Sequence, residues 1–326
     1  MKKIALIGAG QLGSRHLQAL ALLDFPVKIF VIDPFQKSLE VARSRFDEVN
    51  ETSLTKNEKE ICYAETMGSL PDEIDIAIIA TNADGRLEII ENLLSSVKVS
   101  HLILEKVVFN EMAHFSKAHS LFNEKKCNVY VNCTRRMFDI YQKLNEMLSS
   151  SRIIEFVMEG TKWDIGSNGI HSLDLFSYLS GEEVDDLSPA FFDEGIVLSS
   201  RDGYNLFHGT VTGRSKGGGL IRLSSLEEGM VQGIHIRIFA EDIIIDVDET
   251  KGIATLKERD NGWIPREISF SVPFQSQLTN LLVEDLISNA TCQLTPFDQC
   301  IENHKRLIKV INNHLGLPQD HKCPIT

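Results

Sequence analysis

Over the first hundred residues, unbroken apolar runs alternate with stretches of helical spacing. "KIALIGA" at 3–9, "VKIFVID" at 27–33, "IDIAIIAT" at 74–81 and "HLILE" at 101–105 are β-prone runs with little polar alternation. Between them, "QLGSRHLQALALLD" sets Leu12, His16, Leu17, Leu20 and Leu23 at helical spacing, and "QKSLEVARSRF" and "LEIIENLLSSV" follow the same period. Strands without alternation are buried on both faces, and the intervening helices supply the covers. The pattern predicts a doubly wound α/β domain around a parallel sheet. "CNVYVNCT" at 127–134 is either one more strand or the crossing into a second domain.

From about residue 150 the texture changes. A helix is expected over 169–180. After it come "GIVLSS", "NLFHGTVTG", "GGLIRLSS", "GIHIRIFA", "DIIIDVD", "GIATLKE" and "EISFSV", short strands at regular spacing with Gly, Asp and Asn turns. That is the signature of an antiparallel sheet. Helical patterns in "FQSQLTNLLVEDLIS" and "FDQCIENHKRLIKVINNH" follow. The expected organisation is a parallel-sheet domain over residues 1–122, then an α+β domain with an open, mainly antiparallel sheet over 123–326. No internal repeat or low-complexity segment interrupts it.

Composition narrows the partners. Hydrophobic residues make up 43% and charged residues 24% of the 326, an ordinary globular balance. A formal charge of −13 leaves a nucleic-acid backbone without an electrostatic footprint, so nucleic acid is not an expected partner. "MKKIALIGAGQLG" mimics a signal peptide, but its apolar run stops at a glycine loop and no cleavage region follows. No window approaches the apolar length needed to cross a bilayer, and no membrane partner is expected. Cysteines at 62, 127, 133, 292, 300 and 323 form no C-x-x-C pair and no metal-ligand spacing. They read as reduced, mostly buried thiols of a cytoplasmic protein, with no metal.

Gly8-Ala9-Gly10-Gln11-Leu12-Gly13 is G-x-G-x-x-G. Three glycines alone are a weak signal, but here they follow a strand and open a helix. Asp33 ends the next strand, 20 residues after Gly13. Gly8 makes the tight turn, Gly10 lets the backbone approach a pyrophosphate, and Gly13 permits close helix–strand packing. The helix N-terminus, with Gln11 and Leu12, supplies amide donors and a positive dipole. Asp33 would accept from both ribose hydroxyls of an adenosine and would repel a 2′-phosphate, which favours NAD over NADP; Lys37 nearby works against that preference. The bland alternative is that the glycines end a strand and Asp33 caps a turn. A flavin would use a similar loop, but nothing further along suggests an isoalloxazine site. The expectation is a Rossmann domain that binds NAD.

Open α/β sheets bind ligands outside the carboxyl ends of their strands. Thr81 and Asn82 end one strand, and Glu105 and Lys106 end another; all four join the expected cofactor-binding set. The pieces "IALIGAGQLGSRHLQAL", "IDIAIIATNADGRLEII", "LILEKVVFN" and "GIHSLDLFSYLSG" resemble, in order and spacing, the glucose–fructose oxidoreductase, inositol dehydrogenase and MocA family (Gfo/Idh/MocA), and the whole chain fits its two-domain plan. In that family the strand ends in Glu-Lys-Pro, and the lysine lies between nicotinamide and substrate. The resemblance implies that role for Lys106. Chemically, a sugar alcohol that gives up hydride must also lose its hydroxyl proton, and an amine of lowered pKa is a suitable base. The bland reading is a surface Glu-Lys pair. Val107 stands where the family usually has a proline, which commonly forms a cis bond.

His171 and Asp174 lie three apart among Ile170, Leu173, Leu175 and Phe176. The family's segment reads Asp-x-Gly-x-His-x-x-Asp, its first aspartate and histidine completing the catalytic set. Aligned on Gly169, His171 and Asp174, that aspartate position is Ser167, which can bond a hydroxyl but cannot hold a charge or share a proton at neutral pH. Ser167, Asn168 and His171 are the expected substrate contacts, with His171 a second catalytic group. On the bland reading, Ser167 or Asn168 caps a helix and His171 is a satisfied core histidine. Asp174 is expected to fix the helix or the imidazole, and Asp164 could supply a displaced carboxylate if its loop folds back. Arg135 and Arg136 follow "YVNCT", where the family often has a substrate- or cofactor-facing arginine; Arg136 is taken as the substrate contact.

The expectation is therefore an NAD-dependent dehydrogenase acting on a secondary alcohol of a sugar, cyclitol or nucleotide-sugar. By analogy with the family it would be a homo-oligomer, a dimer or tetramer. The alternatives are a non-catalytic NAD-binding sensor that keeps the fold, favoured by Ser167 and Val107, and an NAD-dependent lyase with transient oxidation.

Overall fold

The computed structural model describes residues 1–52, 57–193, 197–200, 203–226 and 233–326. These divide into two compact units, one of residues 1–109, 113–132 and 273–298, the other of 110–112, 133–272 and 299–326.

The first unit begins β1 (Lys2–Ile7), α1 (Gly13–Leu20), β2 (Val27–Ile32), α2 (Gln36–Thr52), β3 (Lys59–Ala64), β4 (Glu73–Ile79), α3 (Arg86–Ser96), β5 (Lys98–Leu104), α4 (Met112–Lys125) and β6 (Asn128–Val131). The six strands pair in parallel in the order β6-β5-β4-β1-β2-β3. The apolar runs of β1, β2, β4 and β5 form its core, with Ile4, Leu6, Val31, Ile78 and Leu102 fully out of solvent. The order reverses between β1 and β4, which opens a crevice at their carboxyl ends. "CNVYVNCT" thus supplies a strand of this sheet. β3 has no apolar run because it is an edge strand, half-exposed along most of its length.

The second unit holds α5 (Asp139–Leu148), β7 (Ile153–Thr161), α6 (Ile165–Ser180), β8 (Val184–Phe192), β9 (Val197–Leu198), β10 (Asn205–Leu206), β11 (Gly209–Ser215), β12 (Leu220–Leu226), β13 (Ile234–Ala240), β14 (Ile243–Asp248), β15 (Ile253–Glu258) and β16 (Arg266–Ser269). Eight strands form one sheet in the order β16-β15-β14-β13-β7-β12-β11-β8. All its pairs are antiparallel except β12 with β7. The central strand β7 and the edge strand β8 have no counterpart in the sequence-based expectation. "GIVLSS" falls partly outside the described residues; its Val197–Leu198 pairs with β10 in a separate two-stranded ribbon.

The chain then forms α7 (Thr279–Asn289), β17 (Thr295–Pro296) and α8 (Phe297–His314). Strand β17 adds antiparallel to β6, so residues 273–298 return to the first unit. The units therefore differ from a division at 122/123. Residues 123–132 and 273–298 join the first unit because β6 and β17 complete its sheet. Among the described residues no helix is long and apolar enough to cross a membrane.

Candidate cofactor and substrate site

The loop after β1 carries the geometry its glycines imply. Gly8 has φ +93°, a left-handed conformation, and a Cβ there would lie 2.9 Å from the Ala80 carbonyl. A Cβ on Gly13 would lie 1.8 Å from the Gly8 oxygen, so only glycine allows this approach. At Gly10 a Cβ would meet nothing among the described residues within 4 Å. Ser14 N donates to Gly10 O at 2.9 Å, starting the helix on the loop. Arg45 of α2 donates to the Gln11 side chain at 3.0 Å and to Ser14 Oγ, which orders the loop from outside.

Asp33 is buried just past β2. Its Oδ2 accepts from Ala9 N at 2.7 Å and its Oδ1 from Phe35 N at 2.9 Å. Each carboxylate oxygen keeps acceptor capacity for a further donor. Past β4, the buried Thr81 Oγ1 has no hydrogen-bond partner among the described residues, while Asn82 is exposed. An open face at Gly10, an anionic acceptor at Asp33 and an orphaned hydroxyl at Thr81 fit a dinucleotide along the β1–β4 crevice.

Glu105 and Lys106 follow β5, the first buried and the second half-exposed. The Lys106–Val107 peptide is cis, although valine replaces the family's proline. The fully buried Arg86 guanidinium, from α3, donates to the carbonyls of Glu105 (2.5 Å), Val107 (2.6 Å), Val108 (2.8 Å) and Thr81. One side chain thus ties the ends of β4 and β5 together. Glu105 itself is held by His16 Nε2 at 2.8 Å and Asn132 Nδ2 at 2.5 Å. Burial would raise its pKa, but the His16 bond and charge, the Lys106 charge and the Asn132 amide hold it below the ordinary carboxylate range. Arg86 and His16 were not anticipated from the sequence. The signal for His16 was a polar residue on an otherwise apolar helix face.

In the second unit, helix α6 starts at Ile165, four residues earlier than expected. Asp164 is its N-cap: Oδ1 accepts from Gly166 N (3.0 Å) and Phe207 N (2.8 Å), and Oδ2 from Ser167 N (2.8 Å). The capping role considered for Ser167 or Asn168 belongs to Asp164, and its carboxylate is committed to backbone amides. Ser167, Asn168 and His171 sit inside the first two turns. Their i, i+3 and i, i+4 spacing puts them on one helix face. All three are half-exposed, while Ile170, Leu173, Asp174 and Phe176 are buried. Asp174 accepts from Arg136 Nε and Nη2, both at 2.8 Å. Arg136 lies over the Tyr178 ring at 5.1 Å, and Arg135 forms a second two-point pair with Glu249, also at 2.8 Å. Both arginines are spent on buried carboxylates.

A parallel sheet in this strand order, with this loop, defines a dinucleotide-binding Rossmann unit. Residues 2–133 match the model of the Gfo/Idh/MocA oxidoreductase family with an NAD-binding Rossmann fold. Comparison of the sequence with curated proteins gives no match. Solved structures share the fold over nearly the whole chain. UDP-N-acetylglucosamine 3-dehydrogenase GnnA from Acidithiobacillus ferrooxidans aligns with TM-score 0.71 and 15% identity over 96% of this chain and 99% of its own. A super-repressor mutant of Gal80p from Saccharomyces cerevisiae aligns with TM-score 0.76 and 12% identity over 97% and 96%. An Agrobacterium radiobacter oxidoreductase, solved with NAD+, L-tartaric acid and magnesium, gives 0.71 and 14% over 94% of each chain. At these identities the likeness is one of fold.

Proposed function

We propose that the protein is an NAD-dependent dehydrogenase that oxidises or reduces a secondary alcohol of a sugar, cyclitol or nucleotide-sugar. The observation that carries this is the loop of residues 8–13 beside Asp33, in a unit that matches an oxidoreductase family. The nicotinamide, when bound, supplies the hydride acceptor or donor. The amides of Gln11 and Leu12 face the pyrophosphate, and Asp33 receives the adenosine ribose, which favours NAD over NADP. Lys106 takes or returns the hydroxyl proton at Nζ. Ser167, Asn168 and His171 read substrate hydroxyls, with His171 a second polariser. Arg136 acts at one remove, by fixing α6 through Asp174.

Six free thiols suit a reducing, cytoplasmic compartment. Self-association would use the outer face of the eight-stranded sheet, where Arg222 and Arg237 are exposed and Glu155 and Asp246 half-exposed.

One observation favours a second reading, an NAD-binding regulator without turnover. Ser167 replaces the family's acid, and the carboxylate that caps α6, Asp164, is bonded to three backbone amides. Mixing protein and NAD with a panel of free sugars, cyclitols and nucleotide-sugars, and following reduced nicotinamide by absorbance, separates the two. Turnover on at least one member is expected. Tight NAD binding with no turnover on any would favour the regulator.

A further inference from the structure

One side chain gathers the chain on both sides of Lys106. Arg86 Nη1 donates to the carbonyls of Glu105 at 2.5 Å, Val107 at 2.6 Å and Val108 at 2.8 Å, and Nη2 donates to the carbonyl of Thr81. The arginine is 1% exposed, and Val107 and Val108 are fully buried. The pairing of β4, β5 and β6 closes with Glu105 N donating to Ile79 O and Asn132 N donating to Leu104 O. Thr81, Glu105, Val107 and Val108 lie at or beyond that closure, where their carbonyls need another donor. A buried carbonyl left without one is costly.

Helix stability does not call for an arginine at this position. Arg86 is the first residue of α3, behind the left-handed N-cap Gly85 (φ +71°), where the helix dipole favours an anion. The four carbonyls instead call for a fork. A guanidinium carries five N–H donors in one rigid plane, so Nη1 and Nη2 hold the ends of β5 and β4 at a fixed separation. A lysine would bring three donors on a flexible stem. The carbonyls on either side of Lys106 are thereby pinned together with the backbone of Thr81, whose buried Oγ1 has no hydrogen-bond partner among the described residues.

We propose that Arg86 is a positioning residue: its fork fixes the backbone of Lys106 and that of Thr81 relative to one another at the ligand edge of the sheet. The inference deepens the functional reading, since it rests on Lys106 as the proton-handling group and on the crevice as the cofactor site. A misplacement of about 1 Å, even one caused far from the reacting atoms, costs on the order of 10²-fold in rate. Loosening the fork lets both strand ends shift while the strands below them stay paired.

Wild type, Arg86→Lys and Arg86→Ala are compared in melting temperature, in Kd for NAD by calorimetry, and in kcat and KM on the alcohol of the panel that turns over best. Arg86→Lys keeps the charge and loses the fork. It is expected to bind NAD about tenfold more weakly and to lose about tenfold or more in kcat, with KM for the alcohol within a few-fold of wild type. Guanidinium at millimolar, non-denaturing concentration should restore part of both in Arg86→Ala and leave wild type unchanged. A purely structural arginine would lower the melting temperature and spare the kcat and Kd of the folded protein. Both constants of Arg86→Lys within about twofold of wild type would therefore overturn the proposal, whether or not Arg86→Ala folds. If wild type turns over no alcohol, the dehydrogenase falls and the NAD affinities alone decide for or against Arg86. Turnover by wild type that Arg86→Lys matches, with equal NAD affinity, sinks the role of Arg86 and leaves the dehydrogenase standing.

Discussion

Arg136 and Asp174 form a buried two-point ion pair, Nε and Nη2 each 2.8 Å from a carboxylate oxygen. The aspartate three residues after His171 thus anchors an arginine from the turn at Thr134–Met137. Breaking such a pair strands the other charge. Asp174→Ala is expected to destabilise the second unit by about 3–5 kcal/mol, read from urea unfolding. Replacing both partners with apolar residues should cost much less; an equal cost would mean that packing dominates.

Gly10 and Gly13 separate the needs of the fold from those of the cofactor. Gly13→Ala drives a methyl into the Gly8 carbonyl and should lower the melting temperature sharply. Gly10→Ala meets nothing among the described residues, so its melting temperature without cofactor should match wild type. Calorimetry should nonetheless show at least tenfold weaker NAD binding for Gly10→Ala. Unchanged affinity would place the pyrophosphate elsewhere.

Asp164 accepts three backbone amides at the start of α6. Asp164→Ala should cost about 1–2 kcal/mol or somewhat more in chemical unfolding, as the loss of an N-cap does. Asp164→Asn retains an acceptor and should keep most of both stability and turnover. A loss of turnover in Asp164→Asn comparable to that of a Lys106 variant would restore the carboxylate to the chemistry.

The Glu249 carboxyl is buried, which opposes its charge, but the Arg135 guanidinium and the Tyr141 hydroxyl, 2.6 Å away, hold it below the ordinary range. A depressed folded-state pKa contributes stability that is complete above the unfolded value, about 4.3 for glutamate, and is lost as pH falls through the folded value. Urea midpoints should therefore fall as the solution is acidified below about pH 5. Glu249→Gln, though less stable overall, should show a shallower acid slope. Identical slopes would remove Glu249 from the acid limb.

The sheet of the first unit was legible because its central strands are apolar on both faces, and the loop because Gly8, Gly13 and Asp33 meet steric and electrostatic demands local to the sequence. β3 was not legible, since an edge strand needs no apolar run. β7 hid because its pattern is neither strict alternation nor an unbroken apolar run: Glu155 and Glu159 bracket the buried Phe156, Val157 and Met158. The face of Ser167, Asn168 and His171 could be read from spacing. That Asp164 caps their helix, that Asp174 serves Arg136, and that Arg86 and His16 grip the end of β5 depend on residues far apart in the chain. No local pattern encodes those pairings.

The most direct test of hydride transfer assisted by Lys106 uses the alcohol that turns over best in the panel. Turnover and NAD affinity are measured for wild type and Lys106→Ala. Turnover is expected to fall by roughly 10²–10⁴-fold, as loss of a general base does, with the Kd for NAD within a few-fold of wild type. A Lys106→Ala protein that keeps its turnover would contradict the assignment.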